Sequence, residues 1–280
     1  MVKIIVLLEN TRGTSGLKCR HGLSLYIETK KHRILFDMGP DGLFLKNAEA
    51  LGVDISDVDT AVLSHGHVDH CGGLKYFLEN NRKAKIYIRP QALEKHYVKV
   101  LGIPFYAGID TRLVSPDRFV FVGDNCVTDD EIMLFSNVSG GFPLPGSDGN
   151  LFTKKVGRIV PDDFCHEQNL LVRSGNRRVL FCGCAHSGIV NILREAKTVT
   201  GDCPTDVVGG FHLYEPAARR YESDAYIDSV AAALAQSDAS YYTCHCTGKE
   251  ACGKMKDLLG SRLTYLSTGS ELCLGCLPPD

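Results

Sequence analysis

Apolar residues fall in short runs along the first 90 positions, and turn-forming residues separate the runs. Val2–Leu8, Leu23–Glu28 and Arg33–Asp37 have strand length and β-rich content. Gly42–Leu51 switches to helical spacing and stops at Gly52, a residue suited to the end of a helix. Thr60–Ser64 is a compact apolar run that predicts a buried strand, and it leads straight into a histidine-rich loop. Lys85–Ile88 predicts a further strand. A helix is expected from Pro90, because proline's missing N–H has no partner to lose in a first helical turn.

The pattern loosens over residues 101–165, a stretch rich in proline and glycine that is expected to form loops and short strands over one face. It then tightens again. Asn169–Arg173, Arg178–Cys182, Asp206–Gly209 and Ser240–Thr243 predict strands. Helices are expected after Gly188, with Ile189, Ile192, Leu193 and Ala196 on one face, and over Asp224–Ala235 and Lys249–Leu259. No linker or low-complexity segment interrupts the chain, so a single domain over residues 1–280 is expected.

Composition narrows the function classes. With 44% hydrophobic and 23% charged residues, the chain can bury a substantial core. A net charge of −2 without a basic stripe gives no footing for nucleic acid. No apolar run reaches spanning length, so no membrane partner is expected. Met1–Leu8 is followed directly by Glu9, Asn10 and Thr11, which suits a first strand better than an export signal. The twelve cysteines are therefore expected as free thiols in a reducing cytoplasm. Cys182-x-Cys184, Cys244-x-Cys246 and Cys273-x-x-Cys276 could each be half of a metal site. Phe105, Tyr106 and Phe142 are candidates either for a pocket wall or for the core.

The densest chemistry is His65-Gly66-His67-Val68-Asp69-His70, an H-x-H-x-D-H loop at the end of a strand. Four nitrogen or oxygen donors within six residues suit zinc, and also iron or manganese, and a loop can turn alternate donors toward two adjacent ions. More ligands are expected at other strand ends. His186 and His245 fit, each following a strand, with Ser187 expected to cap one helix and Thr247 with Glu250 to form a capping box on another. His212 stands at a strand end, with a substrate contact or a place behind the ligands favoured over a ligand role. Asp37 either holds a ligand histidine in one tautomer or is an ordinary turn aspartate. Cys184 either bridges or ligates metal, or packs as a small buried residue. His166 sits in the irregular region, and His21, His32 and His96 read as plain surface positions.

Together these residues resemble the metallo-β-lactamase superfamily. The resemblance runs over nearly the whole chain. It rests on the histidine loop with Cys71-Gly72-Gly73-Leu74, on Ile34–Gly39 and Leu51–Asp54, and on Glu167–Leu170, Gly183–Ile189, Gly210–Leu213 and His245–Gly248. Within the superfamily it is to the branch containing the archaeal dihydropteridine–ribofuranosyl-aminobenzene phosphate synthase of methanopterin synthesis. It implies an α/β fold in αββα order: two packed mixed β-sheets flanked by helices, with metals along one edge. It also implies metal ligation by His65, His67, Asp69, His70, His186 and His245, and departs from many relatives in placing Cys184 where a bridging aspartate stands.

The expectation is an enzyme: a hydrolase of a small-molecule ester, phosphoester or lactone, using a hydroxide activated by two divalent metal ions, zinc foremost. Asp69 is expected to orient the attacking water and His212 to contact the developing oxyanion or a phosphate oxygen. A pterin-related synthase is the alternative. A di-iron oxidoreductase ranks lower, because such relatives carry a carboxylate where His67 stands. The sequence leaves room for a homo-oligomer.

Overall fold

The computed structural model describes residues 1–275. Two seven-stranded sheets lie face to face. The first has the spatial order Glu271–Leu274, Val2–Leu8, Ser24–Glu28, Arg33–Phe36, Thr60–Val62, Lys85–Ile88 and Phe119–Phe121. The second runs Asn125–Val127, Ile132–Ser136, Gln168–Ser174, Arg177–Cys182, Asp206–Gly209, Ser240–Thr243 and Leu263–Tyr265. Read in these directions, both sheets make three antiparallel pairings and then three parallel ones. The two halves of the chain thus build the same mixed sheet.

The unbroken apolar run of the first strand follows from this layering. Val2, Ile4 and Val6 pack between the sheets, while Ile5 and Leu7 face the helix layer. A strand covered on both faces has no polar side to show. Leu43–Ala50 and Leu74–Asn80 cover the outer face of the first sheet. Ile189–Thr200, Asp224–Ala235 and Lys249–Leu259 cover the second, completing the αββα order. Gly52 has the positive φ of +70° expected just past a helix end.

Several local expectations fail. The helix expected from Pro90 is a single 3₁₀ turn, Pro90–Leu93, and His96–Val100 then forms a strand. That strand belongs to a four-stranded antiparallel sheet with Ile103–Tyr106, Leu151–Lys155 and Arg158–Pro161, so the irregular stretch is partly ordered. Neither side-chain cap forms. Gly188 and Gly248 are the N-caps of the helices Ile189–Thr200 and Lys249–Leu259. Ser187 instead gives its N–H to Glu167, and Thr247 Oγ1 accepts the Phe211 N–H. A tertiary partner has thus taken the Thr247 hydroxyl, while the first of the two helices starts one residue beyond the expected cap.

His32, expected on the surface, is half-buried and ties the sheets together. Its Nε2 reaches Asp129 at 2.6 Å and its Nδ1 reaches Asp59 at 3.1 Å. Burial opposes its charge, yet the two carboxylates raise its pKa above the ordinary value. A raised folded-state pKa gives stability that is complete below the unfolded pKa and is lost as pH rises through the folded one. His32→Gln should therefore cost about 1 kcal/mol in urea unfolding near pH 5.5 and close to nothing near pH 9, with the gap shrinking in salt.

Candidate metal centre

The parallel halves of both sheets end at the same edge, and the chemistry collects there, as ligand sites do at the carboxyl ends of parallel strands. Arg33–Phe36 delivers Asp37, and Thr60–Val62 delivers the histidine loop. From the second sheet, Arg177–Cys182 delivers Cys184 and His186, Asp206–Gly209 delivers His212, and Ser240–Thr243 delivers His245. Backbone strain gathers at the same ends. Asp37, Ala185, His212 and His245 all have positive φ, between +50° and +59°. Such conformations persist only where the surroundings over-determine them.

Hydrogen-bond partners assign the tautomers. Asp37 is fully buried and accepts the Ser64 N–H and Ser64 Oγ–H, each at 2.7 Å, and His70 Nδ1–H at 2.7 Å. Since Ser64 has given its proton to Asp37, its Oγ accepts His65 Nδ1–H at 2.8 Å. His186 donates Nδ1–H to Asp148 at 2.7 Å, and His245 donates Nδ1–H to Asn10 Oδ1 at 2.9 Å. His65, His186 and His245 thus turn an unprotonated Nε2 inward, and His70 also turns its Nε2 inward. His65 Nε2 and His186 Nε2 are buried and lack a hydrogen-bond partner among the described residues.

Two donor groups result. In one, His65, Cys184 and His186 bring ligand atoms within 4.8 Å of one another. His67 adjoins it, with ring centroids 4.7 Å from His65 and 5.1 Å from His186. In the other, His70 Nε2 lies 3.1 Å from both His245 Nε2 and Cys184 Sγ, and Asp69 Oδ2 is 3.4 Å from His245 Nε2 and 3.6 Å from His70 Nε2. The sulfur of Cys184 is common to both groups. Burial holds the pKa of His65 well below its ordinary value and that of His67 at about 3. His70 goes the other way, to about 9, because Asp69 and Asp37 outweigh the burial cost. Dry, neutral imidazoles with orphaned lone pairs, beside a carboxylate and a thiol, are a donor set that fits divalent metal, and a cation would compete with the His70 proton.

Other residues were not visible as site members beforehand. Asp148 Oδ1 also lies 3.1 Å from His212 Nε2, which places His212 behind His186 and on the pocket wall. In sequence, Asp148 is only a turn aspartate between glycines. Glu167 accepts the N–H groups of His186 and Ser187, at 2.7 and 3.0 Å. His21 is exposed, as expected, but it also belongs to the site: its Nε2 lies 3.1 Å from Asp69 Oδ2 and it lines the pocket. His96, also read as a plain surface position, is instead buried, and it meets the buried His166 around Asp162. Phe105 and Tyr106 are about half exposed and Phe142 packs against the core, so none of the three lines the pocket. Cys276 lies outside the described residues, and the other eleven cysteines are free thiols.

The sequence model of the metallo-beta-lactamase superfamily matches residues 17–219. This chain belongs to the metallo-β-lactamase superfamily. A solved structure described as a metal-dependent hydrolase of the beta-lactamase superfamily superposes with a TM-score of 0.83 at 29% identity, covering 98% of this chain and 99% of that one. An uncharacterized protein of Methanocaldococcus jannaschii is 29% identical over 92% of this chain and 94% of its own length. The 7,8-dihydropterin-6-methyl-4-(β-D-ribofuranosyl)-aminobenzene-5′-phosphate synthase of the same organism is 27% identical over 89% of each chain.

Superfamily membership puts weight on the close approach at Gly183. A Cβ there would sit 2.2 Å from Ser64 Oγ and 3.1 Å from His65 Nδ1. Gly183→Ala must push Ser64 off Asp37 and rotate His65. It should lower stability by about 1–3 kcal/mol and weaken metal retention, measured by thermal unfolding and by metal content after dialysis.

Proposed function

We propose that this member of the superfamily is a hydrolase of a small-molecule ester, phosphoester or lactone, working with two divalent metal ions, zinc foremost. The observation that carries this reading is the convergence of histidine nitrogens, those of His65 and His186 buried and without a hydrogen-bond partner among the described residues, on two donor groups that share the Cys184 sulfur. His65, His67 and His186 would hold one ion, Asp69, His70 and His245 the other, with Cys184 between them. Such ions, when bound, supply Lewis acidity toward a substrate oxygen and acidify water.

The chain's own residues do the rest. Asp37, Asp148 and Asn10 hold His70, His186 and His245 with Nε2 inward. Asp69 lines the pocket, where its carboxylate can orient an attacking water. His212, pulled toward Asp148, lines the same pocket and is positioned to donate to a substrate oxygen. Burial opposes a proton on His212, but Asp148 and Cys246 raise its pKa, which suits a donor. The pocket measures about 420 Å³, and Val68, Val98, Ala107, Leu151 and Pro216 form much of its wall. No lysine or arginine lines it among the described residues. An uncharged, partly apolar substrate suits that wall better than one bearing a phosphate away from the reacting centre.

Similarity to the pterin-related synthase supports a second reading, in which the same site activates a displacement with an arene in place of water as acceptor. The free thiols suit a reducing cytoplasm.

Elemental analysis of protein purified without oxygen tests the site. About two equivalents of zinc are expected, with His65→Ala and His245→Ala each losing about one. Turnover of an ester and lactone panel should drop at least about a hundredfold in the His67→Ala/Asp69→Ala double variant. Undiminished turnover there would sink the hydrolase reading, and iron with redox-sensitive absorbance would move the protein to the oxidoreductases.

A further inference from the structure

Of the five histidines around the pocket that come from the two donor groups and the H-x-H pair, four have a short polar contact on the nitrogen turned away from it: Ser64 behind His65, Asp37 behind His70, Asp148 behind His186 and Asn10 behind His245. His67 is the exception. Its Nε2 is buried without a hydrogen-bond partner among the described residues, and it faces Asp162 Oδ2 at 3.7 Å. Asp162 comes from the other half of the chain, after the strand Arg158–Pro161, and its side chain is fully buried.

The same carboxylate oxygen is held by two further buried rings. His96 Nδ1 reaches it at 2.9 Å and His166 Nε2 at 3.3 Å. His166 Nδ1 accepts the Gly66 N–H at 3.0 Å, from the residue between His65 and His67. His96 packs on that residue as well, since a Cβ at Gly66 would sit 2.9 Å from its Cδ2. The cluster therefore grips the backbone of the H-x-H turn and presents a carboxylate to the second histidine of that turn.

Resting on the binuclear reading, we propose that Asp162, clamped by His96 and His166, is the positioning residue for His67. A neutral imidazole carries one proton. On Nδ1, it would leave the Nε2 lone pair facing a carboxylate oxygen, which is repulsive. On Nε2 it faces that oxygen favourably and leaves the Nδ1 lone pair for the pocket. His67 thus presents the opposite nitrogen from the other four rings, and Asp162 is the reason. The cluster resembles a further metal site in composition, but the hydrogen bonds speak against one. With Nδ1 accepting from Gly66, the proton of His166 is on Nε2, pointing at Asp162, and no lone pair is left there for an ion.

Zinc titration against a chromophoric chelator tests this in the wild type, Asp162→Asn, His166→Gln, His67→Ala and the Asp162→Asn/His67→Ala pair. Unfolding of the metal-free proteins and imidazole nitrogen NMR accompany it. Asp162→Asn should weaken one zinc equivalent about 10–100-fold and leave the other unchanged. His166→Gln should act on the same equivalent and by less, which keeps the test open if Asp162→Asn does not fold. In the His67→Ala background Asp162→Asn should add nothing, and NMR should place the wild-type His67 proton on Nε2. Wild-type affinity at both sites in Asp162→Asn would overturn the inference while leaving the binuclear reading standing. So would equal weakening of both sites that persists without His67, or a third tight zinc that His166→Gln removes. A wild type that binds no zinc overturns the binuclear reading itself.

Discussion

The Asp37 carboxylate is buried at the end of a strand in the first sheet, and both ends of the histidine loop hang from it. It takes the Ser64 N–H, the Ser64 hydroxyl and His70 Nδ1–H, and through Ser64 it also sets His65. An anion with no exposure is costly unless its lone pairs are filled. Here filling them and aiming two histidines are the same set of bonds. Asp37 itself has a left-handed backbone, so the strand end, the loop and the rings form one rigid unit.

The second sheet repeats this logic with other residues. Glu167 takes the N–H groups of His186 and Ser187, and the neighbouring Gln168 sends its amide across to the Leu63 and Tyr87 carbonyls of the first sheet. Asp148 then holds the His186 ring. The two half-sites face one another because each sheet turns parallel at the same side of the sandwich, and the sulfur of Cys184 lies where they meet. A thiol in that place is softer than a carboxylate, which bears on the choice of metal.

Crowding is what fits the donor set to a cation. Burial drives most of the clustered imidazoles toward the neutral form, and fixed outer partners decide which nitrogen keeps the proton. Lone pairs that would be wasted in a folded protein are thereby left pointing at one another, a state that a cation relieves.

Most of the frame was legible in the chain. Val2–Leu8 and Thr60–Ser64 have apolar runs that only doubly covered strands require, and Asp224–Ala235, Ser240–Thr243 and Lys249–Leu259 were found with their observed bounds. The donors of the H-x-H-x-D-H loop were legible too, because close spacing alone brings them together. What lay beyond reach depended on contacts between distant positions. Asp148 and Asp162 look like ordinary turn residues until the fold sets them against His186 and His67, and His96 looks exposed until its strand joins a small third sheet and the ring packs on Asp162. The expected cap at Thr247 failed for the same reason, since its hydroxyl takes the Phe211 N–H instead. Local pattern determined the elements and the donor atoms. Tertiary structure decided which nitrogen of each ring faces the pocket, because a tautomer is set by the group behind it, and that group comes from another part of the chain for His186, His245 and His67.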